Sequence, residues 1–448
     1  MLKKTGAIFC VILLLFGCAG QQQGYKPSQG IRYSGFSSGI EKFEGYKAAM
    51  LLPLSGKLAK QGESLQNATL LAMSELGEKN IVINFFDTES TPSGALQAAR
   101  AAVAQNAEII IGPLTGDEAE AISPLTKSER IPVVSFSTSP RILQNGVYSL
   151  GLLSSEQISS VIKFAAAKGR KNFAILVPDN SYGMGLAKAA YETTKDNSVN
   201  LVKIGFYPPE SIDFTQILSD MTDYAKRAEQ AELLKKAAEN KLENGDESAA
   251  EELKRLKNID SVGEVDFDAI IMPESGAKLK SASSMLGYYD VFSPEVMILG
   301  TATWDNTNLT KETTLYGAYY PALSKEHSVY LAEQYQKAYG HYPESLSLMA
   351  YDAVSLLSEL AKSGDNSTAT RLLSERGFTG INGDFKFFAD GTNSHKLKIF
   401  EITAKGPKEV FNDSAEKNTE NYDFSPNLLP QIYGKDQDEV LRFLQSNY

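Results

Sequence analysis

Apolar runs that stop at turn-forming residues and lead into helix-forming segments recur along this chain, and they restrict it to helices layered on a largely parallel sheet. The first is Ala48-Ala49-Met50-Leu51-Leu52, closed by Pro53-Leu54-Ser55-Gly56 and followed by Leu65, Ala68, Leu71, Ala72 and Glu75 at near-helical spacing. A continuous apolar strand of this kind is typical of a parallel sheet covered on both faces, and open α/β sheets bind ligands at the C-terminal ends of such strands. Further runs lie at 81–86, 108–113, 131–135 and 148–150, with helical segments between the first four. Short connections of this sort produce right-handed crossovers.

A second set begins near Ser155, with strands expected at 173–177, 200–207, 266–273 and 297–300. Residues 317–321 read as an extended crossing, followed by helices over 326–339 and 346–362. Residues 385–391 read as one arm of a hairpin turning at Asp390-Gly391, with 397–402 as the return strand. The charged, Pro- and Asn-containing tail from 405 carries one short amphipathic helix, near 438–444.

The chain has 448 residues, more than one ordinary core accommodates, so two lobes are expected. A net charge of −11 argues against nucleic acid as a partner and against a polybasic membrane patch. The N-terminus reads as a targeting segment: Lys3 and Lys4, an apolar core over 7–16, then Leu15-Phe16-Gly17-Cys18, which resembles a bacterial lipobox. Cleavage there would remove Cys10 and leave Cys18 as the sole cysteine, the lipidation site, with no internal disulfide. Ala19 after it, by resemblance to proteobacterial sorting signals, favours the outer membrane. Residues 21–38 are polar and Gly-rich, the composition of a flexible tether.

Between the second and third strands of the second set the chain departs from the alternating pattern. Asp213-Phe214-Thr215 starts a helix with Asp213 as N-cap, and helical composition continues to about 243. Asn244-Gly245-Asp246 breaks it before a second helix to about 257. Leu234, Ala238 and Leu242 share one face, Ala250, Leu253 and Leu256 another, with Glu232–Lys236 and Glu251–Arg255 as i,i+4 pairs. The pattern predicts an αα-hairpin over about 222–257: a solvated excursion, or a finger that touches a partner.

The collinear order of Leu52-Pro53-Leu54-Ser55-Gly56, Ile111-Gly112-Pro113, the 135–140 segment Ser-Phe-Ser-Thr-Ser-Pro, the 179–185 segment Asp-Asn-Ser-Tyr-Gly-Met-Gly, Asp213-Phe214, Asp268-Ala269-Ile270-Ile271 and Tyr351-Asp352-Ala353 resembles the type I periplasmic binding proteins, in their leucine/isoleucine/valine-binding branch. The resemblance spans about 46–403. It implies two doubly wound α/β parallel-sheet lobes, joined by three crossings, with the ligand in the cleft between them. The expected division is a signal peptide 1–17, tether 18–45, lobe one 46–151 and 317–380, lobe two 152–316 and 381–403 with the hairpin inserted, and a tail 404–448.

The same resemblance implies that Ser137 and Thr138 hold a ligand carboxylate, unless they only cap the next helix. It makes Tyr182 an aromatic wall of the cleft. Gly116 stands where the branch usually offers a serine, which leaves Thr115 as the nearest hydroxyl. The acid for a ligand ammonium is sought at a lobe-two strand end, at Glu274 or Asp305. The lipobox and the long insertion after Asp213-Phe214 are similar to lipoprotein activators of penicillin-binding peptidoglycan synthases. Two functions follow as expectations: a regulator that contacts a penicillin-binding protein, or a solute-binding component feeding an ABC permease with amino acids.

Enzyme motifs are missing from the sequence. The three histidines His327, His341 and His395 form no His-Glu-x-x-His pattern, and there is no Gly-x-Ser-x-Gly elbow or phosphate-binding Gly-Lys-Ser/Thr loop. No catalytic residue, metal site or cofactor is expected.

Overall fold

The computed structural model describes residues 45–446 apart from 78, 307, 363–366 and 411–427. The lipobox at Cys18 and the tether, apart from Gly45, lie outside the described residues. Strands β1 (Tyr46–Leu52), β2 (Ile81–Asp87), β3 (Ile109–Ile111), β4 (Val133–Ser135) and β5 (Val147–Ser149) form a parallel sheet in the order β2-β1-β3-β4-β5. Helices α1 (Ala59–Leu76), α2 (Pro92–Ala104) and α3 (Gly116–Glu129) connect the first four strands. Alternate side chains of β1 enter opposite cores. Ala48, Met50 and Leu52 meet Leu65, Ala68 and Ala72 of α1, while Ala49 and Leu51 meet the alanines of α2 and Ile122 of α3. Because β1 pairs with β2 on one side and β3 on the other, strand order reverses there, and a crevice opens at the C-terminal strand ends.

The chain then runs through α4 (Ser154–Ala167), β6 (Asn172–Pro178), α5 (Ser181–Asp196), β7 (Asn200–Tyr207), α6 (Thr215–Met221), α7 (Tyr224–Glu243), α8 (Ala249–Leu256), β8 (Ala269–Ile271), α9 (Gly276–Tyr288), β9 (Met297–Leu299) and β10 (Tyr319–Ala322). It returns to the first lobe through α10 (Ser328–Tyr339), α11 (Met349–Lys362), α12 (Thr368–Leu372), β11 (Phe378–Gly380), β12 (Gly383–Phe387) and β13 (Asn393–His395). The second lobe is completed by β14 (Lys398–Thr403), β15 (Gly406–Val410), β16 (Gln431–Tyr433) and α13 (Gln437–Gln445). Its sheet has the order β15-β14-β10-β9-β8-β6-β7-β16, and a small antiparallel sheet β11-β12-β13 caps the first lobe. The chain therefore passes between the lobes three times, after β5, β10 and β13.

Two expected boundaries move. Tyr319 pairs with Leu299 of β9 and with Glu401 of β14, so the crossing strand expected to open lobe one at 317 belongs to lobe two. The hairpin arm at 385–387, placed by the sequence in lobe two, buries Phe385 and Phe387 in the lobe-one core, with Phe387 edge-on to Tyr148 at 5.7 Å. Its return strand is Asn393–His395. Residues 397–402, expected to fill that role, instead form most of β14, which joins the second sheet because Phe400 and Ile402 enter its core. The described parts of the tail also belong to lobe two: β16 extends β7 in parallel and α13 buries Val440 and Leu444.

The helical hairpin is present, but the helix expected to run from 213 to 243 is broken. Asp213 Oδ1 accepts from Thr215 N at 2.9 Å, one residue ahead of the capping position held by Phe214. The chain breaks at Thr222-Asp223, where Asp223 adopts φ 51°. The cause is Lys203 of β7, fully buried, whose Nζ lies 2.5 Å from Asp223 and 2.9 Å from Asp266 and also donates to the Met221 carbonyl at 2.9 Å. A buried ammonium needs such partners, and they pin the base of the hairpin to the sheet. The buried stripe of α7 is Arg227, Ala231 and Ala238, and Glu232 pairs with Lys235 instead of Lys236.

Candidate functional site

Lobe one meets the cleft with the loops after β3 and β4. Gly112 has φ 91°, and a Cβ there would lie 2.2 Å from the Leu51 carbonyl oxygen, so only glycine lets β3 turn this close to β1. Thr115 then starts α3, and its hydroxyl is committed to a capping box. It donates to Glu118 Oε2 at 2.7 Å and accepts from Glu118 N at 3.3 Å, while Glu118 Oε2 accepts from Thr115 N at 3.0 Å. The buried Glu118 also accepts from Thr88 Oγ1 at 2.6 Å. Thr115 is thus a helix cap, and the expectation that its hydroxyl faces a ligand gives way to this local bonding.

At Gly116 a Cβ would come 2.9 Å from Ser139 Cβ and 3.4 Å from Ser137 Oγ. A side chain at 116 is therefore excluded by the very loop expected to bind ligand. In that loop Ser137 N donates to Ser135 Oγ at 3.1 Å, and Ser137 Oγ accepts from Ser139 N at 3.2 Å. Thr138 is exposed, and among the described residues its N–H and hydroxyl have no hydrogen-bond partner. Of the two residues of this loop named from the sequence, Thr138 offers free donors and Ser137 shapes the loop that presents them.

Lobe two meets the cleft with the ends of β6, β7 and β8. Asn180 caps α5 through Gly183 N at 3.0 Å, which places Tyr182 in the first turn, where the residue is 45% exposed. Burial of its hydroxyl raises the Tyr182 pKa, the hydrogen bond with Ser154 opposes this, and the Glu274 charge adds to it. Glu274, just past β8, accepts from the hydroxyl of Tyr207, the last residue of β7. Burial and then the Glu274 carboxylate hold that phenol far above its ordinary pKa, so Tyr207 stays a donor. Trp304 Nε1 donates to the Glu274 carbonyl at 2.7 Å, and Lys278 sits 5.9 Å from the Tyr207 ring centre. The other acid considered, Asp305, is taken up by Lys325 at 2.6 Å and by the Tyr320 hydroxyl at 3.0 Å.

Tyr182 and Glu274 thus lie together in lobe two, and Ser137 and Thr138 in one loop of lobe one; among the described residues no hydrogen bond or ion pair joins the two pairs. Tyr207 and Trp304 were not singled out from the sequence. Tyr207 ends a parallel strand, the position at which open sheets face their ligand, and that was the available signal. The arrangement is suited to a ligand with an acceptor at one end and a donor or cation at the other. Among the described residues no group of three or more His, Cys, Asp or Glu could hold a metal ion, and no helix is long and apolar enough to cross a membrane.

Residues 45–227 match the family model described as periplasmic binding protein. Similar proteins include the uncharacterized protein MJ1266 of Methanocaldococcus jannaschii, 25% identical over 241 residues that cover 49% of this chain and 54% of that protein. The penicillin-binding protein activator LpoA of Vibrio cholerae is 24% identical over 173 residues, 38% of this chain and 28% of that protein. The Leu/Ile/Val-binding protein BraC3 of Rhizobium johnstonii is 25% identical over 190 residues, 39% of this chain and 52% of that protein. The chain spans about half the length of these curated relatives, or less. The crystal structure of a putative branched-chain amino acid ABC transporter from Rhodospirillum rubrum aligns with a TM-score of 0.62 at 15% identity, covering 82% of this chain and 100% of that one.

Proposed function

We propose that this protein, which has the type I periplasmic-binding-protein fold, is a non-enzymatic, lipid-anchored periplasmic protein of the outer membrane that regulates peptidoglycan synthesis by binding a penicillin-binding protein. The observation that carries this reading is the α7–α8 hairpin, which exposes Leu233, Leu234 and Leu242 at 60%, 41% and 38%. Single exposed leucines are ordinary, but three on one inserted finger suit a protein contact. The similarity to an activator of penicillin-binding proteins supports this partner class.

Leu234 and Leu242 border the buried stripe of α7, whereas Leu233 stands on the opposite face. Arg227 holds the hairpin base through the Gly263 carbonyl at 3.1 Å and the Tyr289 carbonyl at 3.0 Å. Deleting 226–256 removes that anchor as well as the leucines, so Leu233→Ser with Leu242→Ser is the cleaner change. Both variants are expected to lose affinity for the purified penicillin-binding protein in surface plasmon resonance while keeping the circular dichroism of the parent lobes. Unchanged affinity in both would reject the hairpin as the contact.

A second reading, a solute-binding component of an ABC-type amino-acid transport system, is favoured by the free donors of Thr138 at a lobe-one strand end, by the Glu274 carboxylate at a lobe-two strand end and by the similarity to BraC3. Here Thr138→Ala combined with Tyr182→Ala is expected to weaken amino-acid binding in calorimetry, and a parent protein that binds no amino acid sinks this reading.

A further inference from the structure

The lobe sheets end in β2 and β5 on one side and in β15 and β16 on the other, and of these edges all but β2 are blunted. In lobe two, β16 has three residues and β15 carries Pro407 and Lys408. In lobe one, β5 has three residues, and Ser149 N donates to the Gly391 carbonyl at 3.0 Å. Short strands, proline, lysine and covering loops are the usual means by which a sheet edge avoids pairing with another chain. β2 has none of them. Its seven residues, Ile81-Val82-Ile83-Asn84-Phe85-Phe86-Asp87, pair with β1 in unbroken register and contain no proline, no bulge and no charge before Asp87.

The direction of the β2 backbone groups follows from its ladder with β1. The Asn80 carbonyl accepts from Tyr46 N at 2.8 Å, and Thr88 N donates to the Leu52 carbonyl at 2.9 Å, so the even-numbered residues of this stretch bond to β1. Alternate residues of a strand turn their N–H and C=O to opposite sides, so those of Ile81, Ile83, Phe85 and Asp87 point away from the sheet. Among the described residues these outward backbone groups have no hydrogen-bond partner. Ile81, Ile83 and Phe85 put their side chains into the lobe-one core, whereas Val82, Asn84 and Phe86 on the other face are half-buried. Just outside the strand, Lys79 and Glu89 are exposed, and neither side chain has an ion-pair partner among the described residues.

We propose that β2 pairs antiparallel with β2 of a second copy of this chain, about a two-fold axis through Asn84, and joins two five-stranded sheets into one. In this register Ile81 stands opposite Asp87 of the second copy and Ile83 opposite Phe85. These are the residues with outward groups, so each pair exchanges both hydrogen bonds and no outward group is left over. Val82 meets Phe86 of the second copy, an apolar cross-strand pair, and the two Asn84 amides hydrogen-bond across the axis. The same register carries Lys79 of each copy toward Glu89 of the other, so charge complements charge at both ends of a self-complementary contact. Neither the cleft nor the hairpin contributes a residue to it, so it is independent of either function proposed for them.

The test is sedimentation equilibrium of the purified full chain from about 1 to about 100 μM, where a reversible dimer is expected. Asn84→Lys places two ammonium groups face to face at the axis and is expected to raise the dissociation constant about tenfold or more without lowering the melting temperature. Lys79→Glu and Glu89→Lys are each expected to weaken the dimer, and the two together to restore it to within about twofold of the parent, which tests the register. Asn84→Cys is the second variant: a pair on the axis lies within disulfide reach, so a covalent dimer is expected on mild oxidation. The parent chain, whose cysteines are Cys10 and Cys18, is its control. A chain that stays monomeric over this range overturns the proposal. So does a dimer that withstands Asn84→Lys and gives no cross-link through Asn84→Cys, a result that places the interface elsewhere. Protected Ile83 and Phe85 amides in a monomer, read by hydrogen exchange, would assign the edge to another segment of this chain and overturn it likewise.

Discussion

Asp352 gives the clearest test of how the lobe-one core is balanced. The side chain is 4% exposed on α11, and it receives Ile381 N at 2.6 Å and Asn382 N at 3.4 Å on Oδ1, and Asn382 Nδ2 at 2.7 Å on Oδ2. Burial outweighs these donors and the nearby His395, and pushes the carboxyl from 3.8 up to about 6. A folded-state pKa above the unfolded one means that the folded protein holds the proton more tightly. The associated stability is fully present below the unfolded value and is lost as pH rises through about 6. Two units correspond to about 3 kcal/mol, most of it lost between about pH 4 and about pH 7.

Asp352→Asn removes the titration and keeps the shape. Its amide oxygen still accepts from Ile381 N, and a flip of the Asn382 amide restores the other bond. The assay is urea unfolding of both proteins from about pH 4 to about pH 7, followed by far-UV circular dichroism. The chain has a single tryptophan, and Trp304 lies in lobe two, so its fluorescence reports that lobe separately. Other carboxylates give both proteins a common pH dependence; the readout is therefore the difference between the two curves. The parent is expected to lose about 2–3 kcal/mol relative to the variant across this range, in the lobe-one transition. Parallel curves would refute the reasoning, because they would mean that three N–H donors fully compensate the burial.

Further changes test the packing around the sites. Gly116→Ala places a methyl 2.9 Å from Ser139 Cβ; it is expected to cost about 1–3 kcal/mol by overpacking and to weaken any ligand held by Thr138, read as a lower melting temperature and a raised dissociation constant. Lys203→Met leaves Asp223 and Asp266 without their shared cation; since both acids are half-exposed, the loss is expected at about 3 kcal/mol, the low end for a broken buried pair, measured by urea unfolding. Removal of 428–446 uncovers the β7 edge and the Val440 and Leu444 sites, which are 0% and 3% exposed; the gross loss is about 3–6 kcal/mol, seen as an earlier Trp304 fluorescence transition.

The strand-to-loop punctuation that let β1 to β9 be read is local. Apolar runs ending in Pro53, in Gly112-Pro113 or in Pro178 carry their own stop signals, so the order of elements was legible. Partner choice is not local. Tyr319 to Ala322 is an apolar strand that suits either sheet, and only pairing with Leu299 and Glu401 assigns it. Residues 431–433 are too short to be read as a strand without β7 beside them. The break at Asp223 depends on Lys203, which is twenty residues away in sequence and lies on another element.

The candidate site residues follow the same rule, with one exception that bears on function. Thr138 and Glu274 were legible as strand-end residues, while Tyr207 and Trp304 acquire a role only through their approach to Glu274. Thr115 is different, because Thr115-x-x-Glu118 is itself a capping-box signature, and local bonding claimed the hydroxyl before a ligand could. Once that bond and those of the Ser137 and Ser139 N–H groups are counted, this loop region keeps few donors beyond those of Thr138. A zwitterion held by so few free groups on one wall would bind weakly, since each unreplaced hydrogen bond to water counts against it. That scarcity weighs toward the regulatory reading, in which affinity resides in the exposed hairpin and the cleft need not capture a nutrient tightly.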